Sequence, residues 1–409
     1  MLKKNTCRWC WESNLSKILE LWNMPLAWWF LKSEEISIES KIPLDLYFCN
    51  NCNLVQICDV VDPEKLFKKY FYISSVIPQL AKHFAEYYNF LKTNYLTSNS
   101  KLLEIWCNDW VLMQNFLNDK DITVIWIDPS ENVCKLANEK WINVINNFFT
   151  NNSALNLHNE FWDFDVVTWS NVFAHVDDII DIINGAKTLI WDKWVFIFEV
   201  HYLLDLMKDF QYDTIYHEHL TYYSVIAAKK IFELQWMKII DVIHLDMHWW
   251  WIRVVTCSKE SVRLVKDSVQ SFIVNEIRLW LNIESTFNNF WEKVKAHKNN
   301  LNNLLSDIKA QWKTIVWYWA PWRWTILLNY CWIDNKILDY IVDLSPLRKW
   351  MLMPWVHVEI VDPKVARDNP PDYFLVLAWN YIDSILEQEK ELINKWVKFI
   401  IPFPEIKII

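Results

Sequence analysis

Along residues 79–96, apolar and aromatic side chains recur at Leu80, Phe84, Tyr87, Tyr88 and Leu91, the spacing of one face of a helix. Beyond residue 100 the pattern changes. Short apolar runs at 101–105, 122–127, 142–147, 164–168, 194–199, 237–243 and 252–256 read as buried strands, and the intervals 109–118, 130–140, 177–190 and 223–235 read as helices. Such alternation predicts a mostly parallel sheet with both faces covered. The last two strands follow each other closely, which allows antiparallel pairing at that end of the sheet. A helical region then runs to about residue 311. A second α/β series follows: strand 314–318, helix 323–331, strands 337–342 and 373–377, helix 383–395 and strand 397–401.

Composition complicates this picture. The 409 residues include 29 Trp and one Gly, Gly185. Ordinary proteins carry about 7% Gly, a share that the Trp and Gly would fill together. Trp also stands where turns want glycine, as in Val316-Trp317-Tyr318-Trp319-Ala320-Pro321-Trp322-Arg323-Trp324, Pro354-Trp355 and the run Trp249-Trp250-Trp251. A chain of this size without turn glycines has no cheap route to positive φ. The expectation is that the gene uses UGA as a glycine codon and is printed here with tryptophan. The competing reading is a Trp-rich chain whose indoles stack on carbohydrate. On the first reading, many of the Trp lie at turns and are partly exposed.

The net charge is −9 and charged residues make up 22%, which argues against a nucleic-acid binder. No apolar run reaches membrane-span length, and the start MLKKNTCRWC lacks the apolar stretch of a signal peptide. Nine cysteines in this setting fit a reducing cytoplasm better than a disulfide framework. No membrane or nucleic-acid partner is expected.

Cys7-x-x-Cys10 and, further on, Cys49-x-x-Cys52 suit one tetrahedral zinc. Four thiolates leave no open position, so the role is structural; Trp9 and Trp11, read as glycines, would open the first knuckle. In Glu104-Ile105-Trp106-Cys107-Asn108-Asp109-Trp110, glycines at 106 and 110 would give an acid-x-Gly-x-x-x-Gly turn between strand and helix. Such a turn lets a ligand lie against the backbone, and Asp128, ending the second strand, is placed to take a ribose. This pattern fits a methyl-donor site, with a NAD-type fold as the alternative. Ser170, Asn171 and His175 follow the fourth strand at the ligand-binding edge. Tyr216-His217-Glu218-His219 suits proton abstraction next to a carbonyl, with His219 as base, Glu218 orienting it and Tyr216 as hydrogen-bond donor. A structural polar loop is the plainer alternative. Tyr70 and Tyr72 alternate with apolar neighbours, either as a core edge or reaching a ligand.

Together these motifs resemble the S-adenosylmethionine-dependent nucleotide-sugar C-methyltransferases over nearly the whole chain. The four cysteines match that family's zinc module. Glu104 to Trp110 with Asp128 match its methyl-donor domain, and Tyr216 to His219 match its active-site signature. Met247 to Arg253, Tyr318 to Trp324, Leu328 to Cys331 and Met353 to Trp355 match further stretches. The departure is the same throughout: Trp where the family has Gly. The resemblance implies a class I S-adenosylmethionine-methyltransferase Rossmann-like domain at 69–256, a zinc-binding module at 1–68 and a C-terminal Rossmann-like α/β domain at 257–409. It implies S-adenosylmethionine and structural zinc as cofactors, and a dTDP-4-keto-deoxysugar as the substrate of a monomer or homo-oligomer. Expected cofactor residues are Glu104, Trp106, Cys107, Trp110, Asp128, Ser170 and Asn171. Expected catalytic residues are His219, Tyr216, Glu218 and His175. Tyr70, Tyr72, Arg253, Tyr318, Arg323 and Arg348, with Lys349, are candidates for the nucleotide sugar. Competing functions are methyl transfer to another acceptor, a NAD-dependent nucleotide-sugar oxidoreductase and a non-enzymatic zinc-containing binding protein.

Overall fold

Seven strands form the predicted sheet: β1 (Lys101–Ile105), β2 (Thr123–Asp128), β3 (Val144–Asn146), β4 (Val166–Ser170), β5 (Val195–His201), β6 (Met237–Leu245) and β7 (Trp251–Ser258). Their order is 3-2-1-4-5-7-6. The first five are parallel, and β7 runs antiparallel between β5 and β6. Strand order reverses beside β1, where β4 is the next neighbour, so the carboxyl ends of β1 and β4 flank the topological switch point at which such sheets take ligands. The computed structural model describes residues 2–67, 78–107, 111–139, 142, 144–190, 194–245, 251–319, 324–345, 348–377 and 382–409.

The chain divides into two units. One comprises Met1–Ser16, Tyr47–Leu204 and Glu218–Glu284; the other comprises Lys17–Leu46, Asp205–His217 and Ser285–Ile409. In the first, helices Glu131–Asn138, Ile179–Leu189 and Val225–Leu234 fall within the expected intervals, and Pro78–Asn94 starts one residue before its own. The helix Asn151–Phe161 was not predicted. It starts at a capping box in which Thr150 and Ser153 satisfy each other's backbone N–H. The expected helix 109–118 is instead a short 3-10 turn over Met113–Phe116, beyond residues 108–110, which lie outside the described residues. Gly185 has a packing reason: a Cβ there would meet Phe149, the Thr150 carbonyl and Ala154 at 3.1–3.3 Å.

The second unit holds a sheet with the order Ile360–Val361, Tyr340–Val342, Ile315–Tyr318, Tyr373–Val376, Lys398–Ile401, Lys407–Ile408. It is parallel except for the last pair. The first and last of these strands are too short to stand out in the sequence. The single helix expected over 383–395 is two, Ile382–Gln388 and Lys390–Asn394. Between them Glu389 is buried and accepts hydrogen bonds from Tyr318 Oη at 2.7 Å and Arg367 Nη2 at 3.1 Å.

Backbone angles bear on the tryptophans. Among the described residues, 17 non-glycine positions have positive φ and 12 of them are Trp. Trp162, Trp236, Trp280, Trp312, Trp332 and Trp396 each follow the end of a helix in this left-handed region. Glycine normally closes a helix there because it has no Cβ to clash. Packing does not hold two of these indoles in place: Trp312 is 95% and Trp396 89% exposed.

Candidate active site

The two cysteine pairs converge. Their four sulfurs all lie within 4.8 Å of one another, with Cys7 Sγ 3.5 Å from Cys52 Sγ and Cys10 Sγ 3.4 Å from Cys49 Sγ. Tetrahedral thiolates around zinc stand at comparable separations, so the donor set fits that ion. The knuckles repeat: Trp11 N–H donates to the Cys7 carbonyl and Asn53 N–H to the Cys49 carbonyl. Trp11 and Asn53 are both left-handed, with φ of 62° and 67°. Asn tolerates that region; Trp does not. Trp9, also expected to open the knuckle, is buried against Tyr223.

At the switch point, Glu104 is buried near the end of β1, and its Oε2 has no hydrogen-bond partner among the described residues. Burial raises its pKa well above the ordinary carboxyl value, and the charges of Asp128 and Glu199 raise it further. Asp128 ends β2, also buried, with Oδ1 accepting the Ser130 N–H at 2.8 Å. Ser170 Oγ, at the end of β4, and Asn171 Oδ1, just beyond it, are buried without partners among the described residues. These orphaned atoms fit a ligand with an ammonium end and sugar hydroxyls. The printed chain obstructs it. Trp106 has φ 54°, and its indole packs among Phe67, Phe148, Trp169 and His175, with centroids 4.9–6.4 Å away. Glycine would remove that ring. Cys107 is buried beside the turn, and Trp110 lies outside the described residues.

His175 closes a one-turn 3-10 helix after β4. It stacks on Phe67 at 5.5 Å, and its ring centroid is 5.0 Å from that of His219. Both its ring nitrogens are buried without a partner among the described residues. Burial first, and then the neighbouring His219, push its pKa well below the usual imidazole range, so His175 is neutral. His219 is buried and lies between His175 and His201, the latter 4.9 Å away by centroid. The loop behind it is tied down. Leu220 N–H donates to the Ala174 carbonyl, and Thr221–Tyr222 pairs with Val55–Gln56. Glu218 is buried and its carboxyl is pushed up to about 8 by desolvation, so near neutrality it is mostly protonated. Tyr216 and His217 are buried in the second unit's segment. His217 Nε2 donates to the Ile42 carbonyl at 3.2 Å.

The candidates for the nucleotide sugar are placed differently. Arg253 is buried in β7 and donates through Nε and Nη2 to Glu199 Oε1 at 2.9 and 2.6 Å. His83 holds the other carboxylate oxygen at 2.9 Å. Burial would raise the Glu199 carboxyl, but His83 and Arg253 outweigh it and hold it down to about 2. Arg253 also lies over the Tyr87 ring at 3.9 Å; the structure engages it in the sheet's interior, with these polar contacts already made. Tyr318 bonds Glu389. Arg348 is half-buried, 3.3 Å from Asp343, and Lys349 pairs with Asp362 at 3.0 Å. Tyr70, Tyr72 and Arg323 lie outside the described residues.

Three contributors were not foreseen. Phe67 covers His175, and His201 flanks His219. Arg8, inside the first knuckle, is buried and reaches the carbonyls of Leu220 and Ile57. His201 carried a usable signal, a polar residue at a strand tip, the same feature that singled out His175.

Comparisons with known proteins find similarity along most of the chain. Three family descriptions match consecutive parts of the chain: a zinc binding domain over residues 7–67, a methyltransferase domain over 79–235 and a C-methyltransferase C-terminal domain over 250–404. The chain is 27% identical to C-methyltransferase NovU of Streptomyces niveus over 405 residues, 98% of this chain and 96% of that protein. Among solved structures, it resembles an S-adenosylmethionine-dependent methyltransferase from Clostridium acetobutylicum, 14% identical, covering 45% of this chain and 93% of that one with TM-score 0.34. It also resembles magnesium protoporphyrin IX methyltransferase from Synechocystis, 10% identical, covering 44% and 80% with TM-score 0.33.

Proposed function

For a chain that carries the zinc-binding, methyltransferase and C-terminal domains of the S-adenosylmethionine-dependent C-methyltransferases, we propose that the acceptor is a dTDP-4-keto-deoxysugar, methylated at the carbon next to its ketone. The observation that carries this reading is the pair His175–His219 at the switch point, with ring centroids 5.0 Å apart and His175 neutral, both its ring nitrogens away from solvent.

The ketone acidifies the neighbouring C–H, and His219 removes that proton as general base. His175, neutral and with unpartnered nitrogens, is available to hydrogen-bond the sugar or the enolate oxygen. Tyr216 acts with it as a hydrogen-bond donor. Glu218, being mostly protonated, orients the loop as a neutral group rather than as a carboxylate. Glu104 and Asp128 would hold the ammonium and ribose of S-adenosylmethionine, with Cys107, Ser170 and Asn171 at the same edge. The bound donor supplies a methyl group on a sulfonium, a good leaving group that needs no metal activation. The C-terminal segment, with Tyr318, Arg323, Arg348 and Lys349, together with Tyr70 and Tyr72, serves the nucleotide sugar.

We also propose that glycine occupies the left-handed Trp positions in the natural protein, through UGA read as glycine. The crowding of Trp at positive φ and at helix ends supports this. Trp106 is the functional case, since glycine there clears the ligand's space.

Two measurements test these readings. Peptide masses spanning 102–135 from the protein made in its own source should give glycine at 106 and 110; tryptophan there would sink the recoding and leave a filled pocket. The glycine-bearing chain should bind S-adenosylhomocysteine and not NAD, and should transfer methyl to carbon in dTDP-4-keto-6-deoxyglucose. His219→Asn should abolish transfer and keep S-adenosylhomocysteine binding; undiminished turnover would remove His219 from the mechanism.

A further inference from the structure

We propose that His201 is the proton outlet of this site: it takes from His219 the proton that His219 removes from the acceptor, and releases it to water. This rests on the reading of His219 as the base.

A base that serves turnover after turnover has to shed its proton, and two imidazoles flank it. His175 is unsuited. It stacks on Phe67 beside His219, both its ring nitrogens are shut off from solvent, and burial keeps it neutral. His201 is the last residue of β5 and only half-buried. Its ring centroid is 4.9 Å from that of His219, with 48° between the planes. That separation admits a nitrogen-to-nitrogen hydrogen bond between the two rings. One N–H bond breaks on His219, one forms on His201, and the proton then leaves from the half-exposed ring to water.

The surroundings favour a transient positive charge at this point. Side chains two apart on a strand share a face, so His201 lies on the same side of β5 as Glu199, whose carboxyl stays ionised beside Arg253 and His83. Tyr222 borders His219 at 6.3 Å. Among the described residues, the titratable and charged groups around the relay are His175, His219, Tyr222, His83, Glu199 and Arg253.

The test uses the full chain with glycine at the positions assigned by mass, dTDP-4-keto-6-deoxyglucose as probe, and two readouts: methyl transfer, and deuterium wash-in next to the ketone in heavy water with S-adenosylhomocysteine bound. His201→Gln should slow both by at least about 10-fold, leave S-adenosylhomocysteine affinity unchanged and make turnover rise with buffer concentration. Added imidazole should restore turnover in His201→Ala, where the missing ring leaves room for it. Wild-type rates in His201→Gln, or a loss that imidazole does not restore in His201→Ala, overturn the relay. The underlying reading fails in a distinguishable way: the wild-type protein would then wash in no deuterium and His219→Asn would change nothing.

Discussion

Arg8 donates a guanidinium hydrogen bond to the carbonyl oxygen of Leu220, the residue after His219. Its other terminal nitrogen reaches the Ile57 carbonyl at 2.7 Å, and its own backbone N–H reaches Gln56 Oε1 at 3.1 Å. Because Arg8 sits between Cys7 and Cys10, the cysteine knuckle and the loop bearing His219 share a single side chain. Arg8→Met would remove a donor from two buried carbonyls, of which that of Leu220 keeps the Ile57 N–H, and should cost about 1–3 kcal/mol. The expected result is a lower melting temperature and a lower kcat with S-adenosylhomocysteine affinity kept. Arg8→Lys should rescue little, since a point charge cannot reproduce the fork; calorimetry and steady-state rates check both.

Zinc removal should act on the same loop. Zinc would tie the two cysteine knuckles together, so a strong chelator should lower the melting temperature and turnover in step with zinc loss. Cys10→Ser should mimic it. Metal analysis alongside a thermal melt decides; full turnover in a zinc-free sample would contradict a structural role.

Glu218 sets a pH dependence. Its carboxyl is raised from 4.5 to about 8 in the folded state, so folding is favoured while the group keeps its proton. That contribution is complete below the unfolded pKa and is lost as pH rises through 4.5 toward 8. The slope is at most about 1.4 kcal/mol per pH unit. Glu218→Gln, permanently neutral, should flatten the fall in melting temperature between pH 5 and 8; an unchanged profile would show that burial is not what governs this group.

Glu199 carries the opposite sign. Held down to about 2 by His83 and Arg253, it contributes stability that is present above the unfolded pKa and lost as pH falls toward 2. Glu199→Gln leaves Arg253 buried without its counter-charge and should cost about 3–5 kcal/mol. The double change Glu199→Leu with Arg253→Met should cost much less, as urea melts would show.

Trp312→Gly in the chain as printed should stabilise it by about 1–2 kcal/mol, because the left-handed backbone at the end of helix Glu284–Ala310 no longer carries a Cβ. Urea melts check this. The same change at the deeply buried Trp169, in the middle of β4, should destabilise the printed chain by opening a cavity.

Much of the fold was legible because the sheet strands are continuous apolar runs bounded by polar tips. β1 matches its expected limits, and the other six overlap theirs. The helix Asn151–Phe161 was hidden because its sequence, NNSALNLHNEF, is mostly polar and buries only Ser153, Ala154 and Leu157. The cysteine spacing and the His219 loop stood out as motifs. Arg8 could not, since its partner Leu220 lies 212 residues away and an arginine beside a cysteine carries no signal of its own. Arg253 looked like a phosphate ligand for the same reason: the sequence shows a charge, but not that Glu199 faces it across the β5–β7 pair.

The left-handed knuckle at Trp11 has a consequence for inheritance. If that knuckle is spelled with UGA at Trp9 and Trp11, a host that reads the triplet as a stop ends the chain just after Arg8, before Cys10 and the second cysteine pair are made. The gene would then be silent in most recipients of its DNA, and the turn that closes the metal site would act as a barrier to horizontal transfer.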